Sequence, residues 1–247
     1  MEVSVIPVLK DLTNFYMKNQ TFLFEKESKR YVSTYLNQEQ AYIYKFSKFI
    51  KNKDIKNIID VGCGNANFLN KCSIYYENSI CTGVEPNAHS IKLLKNKFPK
   101  LNFVKAFCHN LKMFKTNTFD LTVIYSVLHW VGRDEYLQSI GELIRITDKY
   151  LIIMDFVASE DYKTPYSHKE GLFTYKQDFD KIIMNSAIME KLEEEQFYYN
   201  DKSKKLVILN SNDLLPFKGN SKNYDSRKIV VYKKNYNHLN TQLKQDF

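Results

Sequence analysis

The stretch Asp60-Val61-Gly62-Cys63-Gly64-Asn65-Ala66 decides how this chain folds. It ends an apolar run, Asn57–Val61, that is typical of a buried strand, and it precedes an amphipathic stretch from Asn67 to about Tyr76 with helical spacing. Small residues at positions 62, 64 and 66 allow positive φ angles and let a ligand approach the backbone closely. The sequence therefore predicts a strand, a tight ligand-binding turn and a helix in succession.

Strands and helices alternate beyond this turn. The pattern predicts strands at Ser79–Val84, Asn102–Phe107, Phe119–Tyr125 and Lys149–Phe156, and helices over His89–Lys97 and Asp134–Thr147. Such alternation implies βαβ crossovers and a parallel sheet. The strands are nearly continuous in apolar residues, as expected when helices cover both faces of the sheet. We therefore expect an α/β fold.

An acidic residue follows the second strand, at Gly83-Val84-Glu85-Pro86, 21 residues after Gly64. A carboxylate in this place can accept hydrogen bonds from both hydroxyls of a ribose, so the pattern predicts a nucleoside-containing ligand at the carboxyl end of the sheet. A dinucleotide loop cradles a pyrophosphate, usually as GxGxxG, and no third glycine follows here at that spacing. Asp60, directly before the glycines, would also repel a phosphate but suits a ligand that carries an ammonium group.

The pattern D-V-G-C-G-N-A resembles the first motif of class I S-adenosylmethionine-dependent methyltransferases, and Gly83–Pro86 resembles their ribose-binding second motif. Thr118–Val123 followed by Ser126–Val131 looks like the fourth-strand region of small-molecule members. The resemblance covers about residues 55–157. It implies a doubly wound Rossmann-like fold with a mostly parallel seven-stranded sheet and an antiparallel last strand, and S-adenosylmethionine as the cofactor. The stretch from Pro165 to Asp178 is similar to bacterial methyltransferases of surface-polysaccharide biosynthesis.

The same resemblance implies which residues bind the cofactor. They lie at or beside strand ends: Asp60, Gly62, Cys63, Gly64, Glu85, Pro86, Tyr125 and Ser126. The family usually offers an Asp after the third strand to bond the adenine amino group, but this chain reads Ala106-Phe107-Cys108-His109-Asn110-Leu111 there. We expect His109 or Asn110 to contact adenine instead; alternatively, both are ordinary loop residues.

Candidates for the chemical step lie after the fourth and fifth strands. His129 follows the fourth strand and titrates near neutral pH, which suits a general base; alternatively, it is a structural histidine that bonds a backbone carbonyl. Tyr166 and His168 are candidates for a base or for binding a phosphate or sugar hydroxyl; the alternative is a surface loop. Four further residues share that cluster, Asp155, Tyr162, Tyr175 and Lys176, of which Asp155 could instead cap a helix. We expect no metal, because cysteines and histidines lack ligand spacing.

The last third of the chain changes character. Ala158–Asp178 predicts a long loop or a small cap, and Phe179–Glu194 predicts a helix. Glu195–Tyr199 and Lys228–Tyr232 predict an antiparallel pair of strands at the end of the sheet. We expect one domain over residues 1–247, with an N-terminal helical cover (1–55), a cofactor-binding core (56–157), and a substrate-side insertion with the last strands (158–247).

Composition limits the partners. The net charge is +8, but only 4 of the 36 basic residues are arginines, which are the preferred contacts for phosphates and base edges. No run approaches the roughly 18 apolar residues of a membrane helix. The N-terminus lacks the pattern of a secretory signal. We therefore expect a cytoplasmic protein with reduced thiols and no membrane span, monomeric or homodimeric.

Three functions remain open at this point. The first is methyl transfer to a hydroxyl or amine of a small polar metabolite, including an anionic or carbohydrate acceptor such as a sugar or a phosphorylated precursor of surface polysaccharide. The second, an RNA methyltransferase, would predict an appended RNA-binding module or an arginine-rich stripe, and neither is visible, so nucleic acid is not the expected partner. The third is a non-catalytic protein that binds the cofactor.

Overall fold

The structure, a computed structural model, describes residues 53–158, 161–165, 173–200, 205–209 and 227–236. The strands are β1 (Asn57–Val61), β2 (Ile80–Val84), β3 (Asn102–Val104), β4 (Phe119–Tyr125), β5 (Thr147–Phe156), β6 (Tyr162–Pro165), β7 (Phe173–Lys176), β8 (Met189–Asn200), β9 (Lys205–Leu209) and β10 (Arg227–Lys234). The helices are α1 (Asn67–Tyr75), α2 (Ala88–Lys97), α3 (Tyr136–Ile146) and α4 (Phe179–Asn185), with a 3-10 turn at Leu128–Trp130. None of these helices is long and apolar enough to cross a membrane. The expected N-terminal cover, 1–55, falls almost wholly outside the described residues.

The main sheet has the strand order β3-β2-β1-β4-β5-β10-β8-β9. All neighbours from β3 to β5 pair in parallel. β10 pairs antiparallel with both β5 and β8, and β9 pairs antiparallel with β8. The prediction of a mostly parallel, doubly wound sheet with an antiparallel last strand is confirmed. The described sheet holds eight strands, because β9 adds an edge strand beyond the seven that were expected.

The core lies on both faces of this sheet. Neighbouring residues of one strand pack on opposite sides, as the two-residue period of a strand requires. Ile58 joins the layer formed with α1 and α2, whereas Ile59 joins the layer formed with α3 and α4. Ile152 and Ile153 of β5 divide in the same way. Helices on both faces explain why the strands read as continuous apolar runs.

Three expectations about secondary structure were wrong in extent. The third strand ends at Val104 rather than at Phe107. The stretch 158–178, predicted to be a loop or cap, contains the antiparallel hairpin of β6 and β7. The helix predicted to reach Glu194 ends at Asn185, because the residues from Met189 onward form β8 along β10. The Glu- and Lys-rich stretch favours a helix locally, but pairing with a buried strand overrides that propensity.

Candidate active site

The loop between β1 and α1 folds over the end of β2. The backbone N–H groups of Gly62 and Cys63 both donate to the Val84 carbonyl, at 2.8 and 2.9 Å. Gly62, Gly64 and Ala66 have φ angles of +79°, +51° and +56°, which the small residues at these positions allow. A side chain at Gly64 would meet nothing within 4 Å, so this backbone borders open space that a ligand can enter.

Two carboxylates lie beside this loop. Asp60 is the second-last residue of β1, and Glu85 directly follows β2. Each is only 3% exposed. Burial raises the pKa of the Cys63 thiol, and the charges of Asp60 and Glu85 raise it further, so the thiol lies within reach of both carboxylates. Because two negative charges repel a pyrophosphate and attract a cationic group, the residues present fit a nucleoside that carries a sulfonium and an ammonium.

The loop after β3 holds the two residues expected near adenine. The His109 ring stacks on Phe107 with ring centres 5.3 Å apart, and its Nδ1 lies 3.3 Å from a carboxylate oxygen of Glu135. Asn110 is exposed, and its backbone N–H closes a turn onto the Phe107 carbonyl. The contact of His109 or Asn110 with adenine stays a prediction.

The segment after β4 lies directly against the glycine loop. A Cβ built on Gly62 would stand 2.4 Å from a methyl carbon of Val127, so only glycine allows this approach. Tyr125 and Ser126 are half-buried at the end of β4, as Pro86 is at the end of β2. Ser126 has a φ of +58° and its N–H donates to the Met154 carbonyl. The cofactor residues predicted on β1, β2 and β4 therefore converge on one edge of the sheet.

His129 lies in the 3-10 turn after Val127 and forms a buried pair with Asp155. Its Nδ1 is 2.8 Å from Asp155 Oδ1, and its backbone N–H points to Oδ2 at 3.4 Å. The Phe156 N–H also donates to Asp155 Oδ1, at 2.8 Å. The imidazole is 7% exposed and the carboxylate 3% exposed. β4 and β5 are parallel neighbours, so their carboxyl ends bring the two side chains together.

The surroundings set the charges of this pair. Burial lowers the pKa of His129, and Arg227 and Lys176 lower it further, against the opposing effect of Asp155. Burial would raise the pKa of Asp155, but the bond to His129 and the charge of Arg227 bring it below its usual value. The pair therefore consists of a neutral imidazole and an ionised carboxylate. Nδ1–H donates to Asp155, which leaves Nε2 as the basic nitrogen.

Two buried cations lie over the neighbouring Phe156 ring. The Arg227 guanidinium is 4.2 Å from the ring centre and the Lys176 ammonium 4.8 Å. The His129 ring meets the same ring edge to face at 4.7 Å. Arg227 donates to the Ser126 hydroxyl, and Lys176 donates to the Thr164 and Thr174 hydroxyls. Two cationic side chains thus lie near the imidazole on the side of β7 and β10.

Sequence reasoning located part of this arrangement. Tyr166 and His168 lie outside the described residues. Asp155 and His129 were assigned to separate clusters, and the structure joins them. Arg227 was missed; its only signal was its place directly before the predicted strand Lys228–Tyr232. Among the residues that the structure describes, no group of three or more His, Cys, Asp or Glu could hold a metal ion.

Comparison with known families agrees with this geometry. Residues 59–150 match a family model described as a methyltransferase domain. A curated relative from Campylobacter jejuni, the ubiquinone/menaquinone biosynthesis C-methyltransferase UbiE, is 26% identical over 113 residues. That match covers 44% of this chain and 47% of the relative, so the chain aligns with about half the length of the curated relatives it matches.

Solved structures share the fold over most of the chain. The 1,6-didemethyltoxoflavin-N1-methyltransferase of Burkholderia thailandensis, with S-adenosylhomocysteine bound, has a TM-score of 0.62 at 9% identity, covering 95% of this chain and 93% of that one. The magnesium protoporphyrin IX methyltransferase of Synechocystis PCC 6803, with S-adenosylmethionine bound, has a TM-score of 0.61 at 12% identity, covering 95% and 100%. At these identities the likeness concerns the fold.

Proposed function

We propose that this chain, which belongs to the class I S-adenosylmethionine-dependent methyltransferases as its sequence predicted, methylates a hydroxyl or amine of a small polar acceptor. The observation that carries the proposal is the position of the His129–Asp155 pair. The pair lies after β4 and β5, at the carboxyl end of the strands where the glycine loop also lies. Val127, two residues before His129, packs closely against Gly62 of that loop. A proton acceptor therefore lies next to the cofactor loop.

The loop and its carboxylates would hold the cofactor. Glu85 would accept the ribose hydroxyls, and Gly62 and Gly64 would let the ligand lie against the backbone. The negative charge of Asp60 favours the cationic methionine portion over a pyrophosphate. Bound there, S-adenosylmethionine supplies a methyl group already activated by its sulfonium. The protein's remaining tasks are to align the acceptor in line with that bond and to exclude water.

His129 would accept the proton that the acceptor loses. Asp155 holds Nδ1–H, so the ring keeps one tautomer and presents Nε2 to the acceptor. The low pKa of the buried ring keeps it neutral at physiological pH, the state that a base needs. Asp155 acts through His129, so we assign it as a positioning residue.

The acceptor and the location remain predictions. We expect a small metabolite in the cytoplasm rather than a nucleic acid. Two acceptor classes deserve a test: sugars and phosphorylated sugars, which the sequence favours, and quinol-like phenols, because the curated relatives are named as C-methyltransferases of quinone biosynthesis. A phenol acceptor would transfer its phenolic proton to the same base, His129.

Calorimetric titration with S-adenosylmethionine and S-adenosylhomocysteine tests the cofactor. We expect micromolar binding that weakens roughly 100-fold in Glu85→Ala, because two hydrogen bonds to a carboxylate are lost. Glu77→Ala, an exposed acid at the end of α1, is the matched control and should bind as the wild type does. Equal binding by wild type and Glu85→Ala would contradict the assigned site.

Release of S-adenosylhomocysteine with a panel of acceptors tests the reaction. A hydroxyl or amine acceptor should turn over, and His129→Asn should lower that turnover by roughly 100-fold or more while cofactor binding remains. In Asp155→Asn the pH–rate profile should shift, because the amide no longer stabilises a protonated ring. A rate that is independent of His129, with an acceptor in hand, would reject its role as the base.

A further inference from the structure

We propose that the lysine-rich surface formed by α2 and the outer strand β3 binds the face of an anionic lipid membrane, with Leu93 inserted among the headgroups. This surface is called the basic surface below, and its cations are Lys92, Lys95, Lys97, Lys100 and Lys105. The inference goes beyond the proposed methyl transfer and does not depend on it. It would make the chain a peripheral membrane protein, attached from one side of the bilayer.

The distribution of charge carries the first part of the argument. Residues 86–118 contain seven lysines and no arginine, aspartate or glutamate, so this stretch alone carries +7 of the net charge of +8. The rest of the chain is therefore close to neutral. Charge of one sign that is concentrated on one side of a protein attracts that side to an oppositely charged surface.

The structure places five of these lysines at one end of the sheet. β3 is the outermost strand at that end of the described sheet, and α2 packs against it. Lys105 directly follows β3, and Lys100 lies in the turn between α2 and β3. Ile91 and Leu94 bury the opposite face of α2 in the core, so the lysines of this helix face outward. The five cations are all exposed and border one continuous part of the chain.

No carboxylate balances these cations within the part of the chain that the structure describes. None of the five forms an ion pair or a side-chain hydrogen bond there, and Lys97 extends over the ring of its neighbour Phe98. Lys149 differs, because its ammonium lies 2.8 Å from a carboxylate oxygen of Asp120. The positive charge of the basic surface is therefore available to a partner.

The residue types favour a lipid surface over a protein or a nucleic acid. Arginine and aromatic side chains are enriched at protein interfaces, from which lysine is depleted, and arginine is also preferred for phosphates and base edges. Residues 86–118 contain no arginine, and their four phenylalanines are buried or half-buried. A lysine ammonium on a flexible stem needs no fixed partner geometry, which suits headgroups that diffuse in a fluid layer.

An apolar side chain lies among the cations. Leu93 is 44% exposed on α2, directly after Lys92 and one helical turn before Lys97. An exposed leucine flanked by lysines is the combination with which helices attach to the headgroup layer, where the apolar side chain leaves water and the cations meet anionic lipids. The basic surface therefore offers both contributions that interfacial binding uses.

Flotation of the full chain with lipid vesicles tests the proposal. The vesicles consist of phosphatidylcholine alone or of phosphatidylcholine with about 30% phosphatidylglycerol, at roughly 0.15 M salt. We expect binding to the anionic vesicles, little binding to the neutral ones, and weaker binding as the salt concentration rises. Equal binding to both kinds of vesicle, or binding to neither, would overturn the proposal.

Charge variants locate the site. Lys92→Gln, Lys95→Gln and Lys97→Gln combined should weaken binding to the anionic vesicles roughly 100-fold, because each lysine near an anionic surface contributes about fivefold. All three side chains are exposed, so the melting temperature should stay unchanged. Lys100→Gln with Lys105→Gln is a second variant that decides the question if the first does not fold.

The matched control removes the same charge elsewhere. Lys53→Gln, Lys181→Gln and Lys233→Gln combined change three exposed lysines outside the basic surface and should weaken binding far less. An equal loss of binding in the two triple variants would mean that net charge alone attracts the protein, and it would overturn the assigned surface.

Leu93→Gln separates a lipid layer from a soluble polyanion. It should weaken vesicle binding roughly fivefold, because an apolar side chain no longer leaves water. Polyglutamate and polyuridylate RNA are tested at the same salt concentration. Binding to either polymer without binding to anionic vesicles would assign the surface to an acidic protein or to RNA and overturn the proposal. Loss of S-adenosylhomocysteine binding in calorimetry would remove the proposed function and leave the vesicle result unaffected.

Discussion

The two ends of the central strands, called here the amino edge and the carboxyl edge of the sheet, use buried charge in different ways. At the amino edge of β4, Asp120 accepts the backbone N–H groups of Lys56 and Asn57 and pairs with the Lys149 ammonium at 2.8 Å. Asp120 thereby ties β4 to its neighbours on both sides. At the carboxyl edge of β5, Asp155 accepts hydrogen bonds from the His129 ring and from the backbone N–H groups of Phe156 and His129. One aspartate joins strands and the other orients a side chain.

The buried lysines differ in the same way. At the amino edge, Lys234 donates three hydrogen bonds, to Asn117 Oδ1 and to the carbonyls of Ile144 and Thr147 at the end of α3. All three donors of its ammonium are satisfied by oxygens of the fold, and they complete a helix terminus that would otherwise leave carbonyls unpaired. At the opposite edge, Lys176 bonds side-chain hydroxyls of a hairpin. Lys234 therefore completes backbone hydrogen bonding at the amino edge, whereas Lys176 links the Thr164 and Thr174 side chains of the hairpin.

The largest effect on activity is expected from His129→Asn. The amide nitrogen can keep the bond to Asp155 but offers no basic nitrogen, so turnover should fall roughly 100- to 10,000-fold, the usual range for loss of a general base. The free energy of unfolding should change by less than about 1 kcal/mol, because the buried carboxylate keeps a donor. Initial rates and urea unfolding measure both, with the exposed His89→Gln as control. A large loss of stability with normal turnover would make His129 a residue of the scaffold.

The opposite pattern is expected at the amino edge. Lys234→Met should lower the free energy of unfolding by about 2–4 kcal/mol, because it leaves buried oxygen acceptors without donors. The affinity for S-adenosylhomocysteine should stay unchanged in the folded protein. Urea unfolding and calorimetry measure the two quantities, and the exposed neighbour Lys233→Met is the control. Weaker cofactor binding at unchanged stability would contradict the assignment of Lys234 to the stability of the fold alone.

A smaller effect with a defined pH dependence is expected from Asp120→Asn. Burial alone would raise the pKa of Asp120. The hydrogen bonds and charge of Lys149 and the two backbone N–H groups lower the pKa by more, so it lies below its usual value. A carboxyl whose folded pKa is depressed stabilises the protein above its unfolded pKa, near 3.9, and loses that contribution as the pH falls through the folded pKa. The variant should lose about 1 kcal/mol at pH 7, since Lys149 is partly exposed. Urea unfolding should show this difference unchanged at pH values well above the unfolded pKa and shrinking as the pH falls below it. A difference that stays constant in acid would exclude the charge as its cause.

The smallest effect is a change in the titration of His129. Lys176 lowers the pKa of the imidazole, so Lys176→Met should move that pKa upward, toward its ordinary value near 6.5. The acid limb of the pH–rate profile should move upward with it. NMR titration of the ring measures the pKa directly, and Lys92→Met should leave it unchanged. A downward shift would mean that the cation does not act on the ring.

The cofactor half of the site was predictable because its signals are local. Gly62, Gly64 and Ala66 need positive φ, and Glu85 stands at a fixed distance along the chain, so spacing alone places them at adjacent strand ends. The acceptor half was not predictable to the same degree. His129 and Asp155 are 26 residues apart, and Arg227 is 72 residues beyond Asp155. No local pattern predicts that Asp155 pairs with His129 or that His129 and Arg227 both contact the Phe156 ring.

The amino-acid sequence by itself determined the α/β class, the parallel pairing of the first strands and the glycine loop. These features depend on apolar periodicity and small residues, whose effects extend over only a few positions of the chain. The tertiary structure alone decided that residues 189–194 belong to a strand, that Asp155 faces His129, and that Lys176 and Arg227 share the Phe156 ring. Those features depend on the insertion of β10 between β5 and β8. Pairing of strands far apart in the chain is set by burial and backbone hydrogen bonds across the whole sheet, which local propensity does not encode.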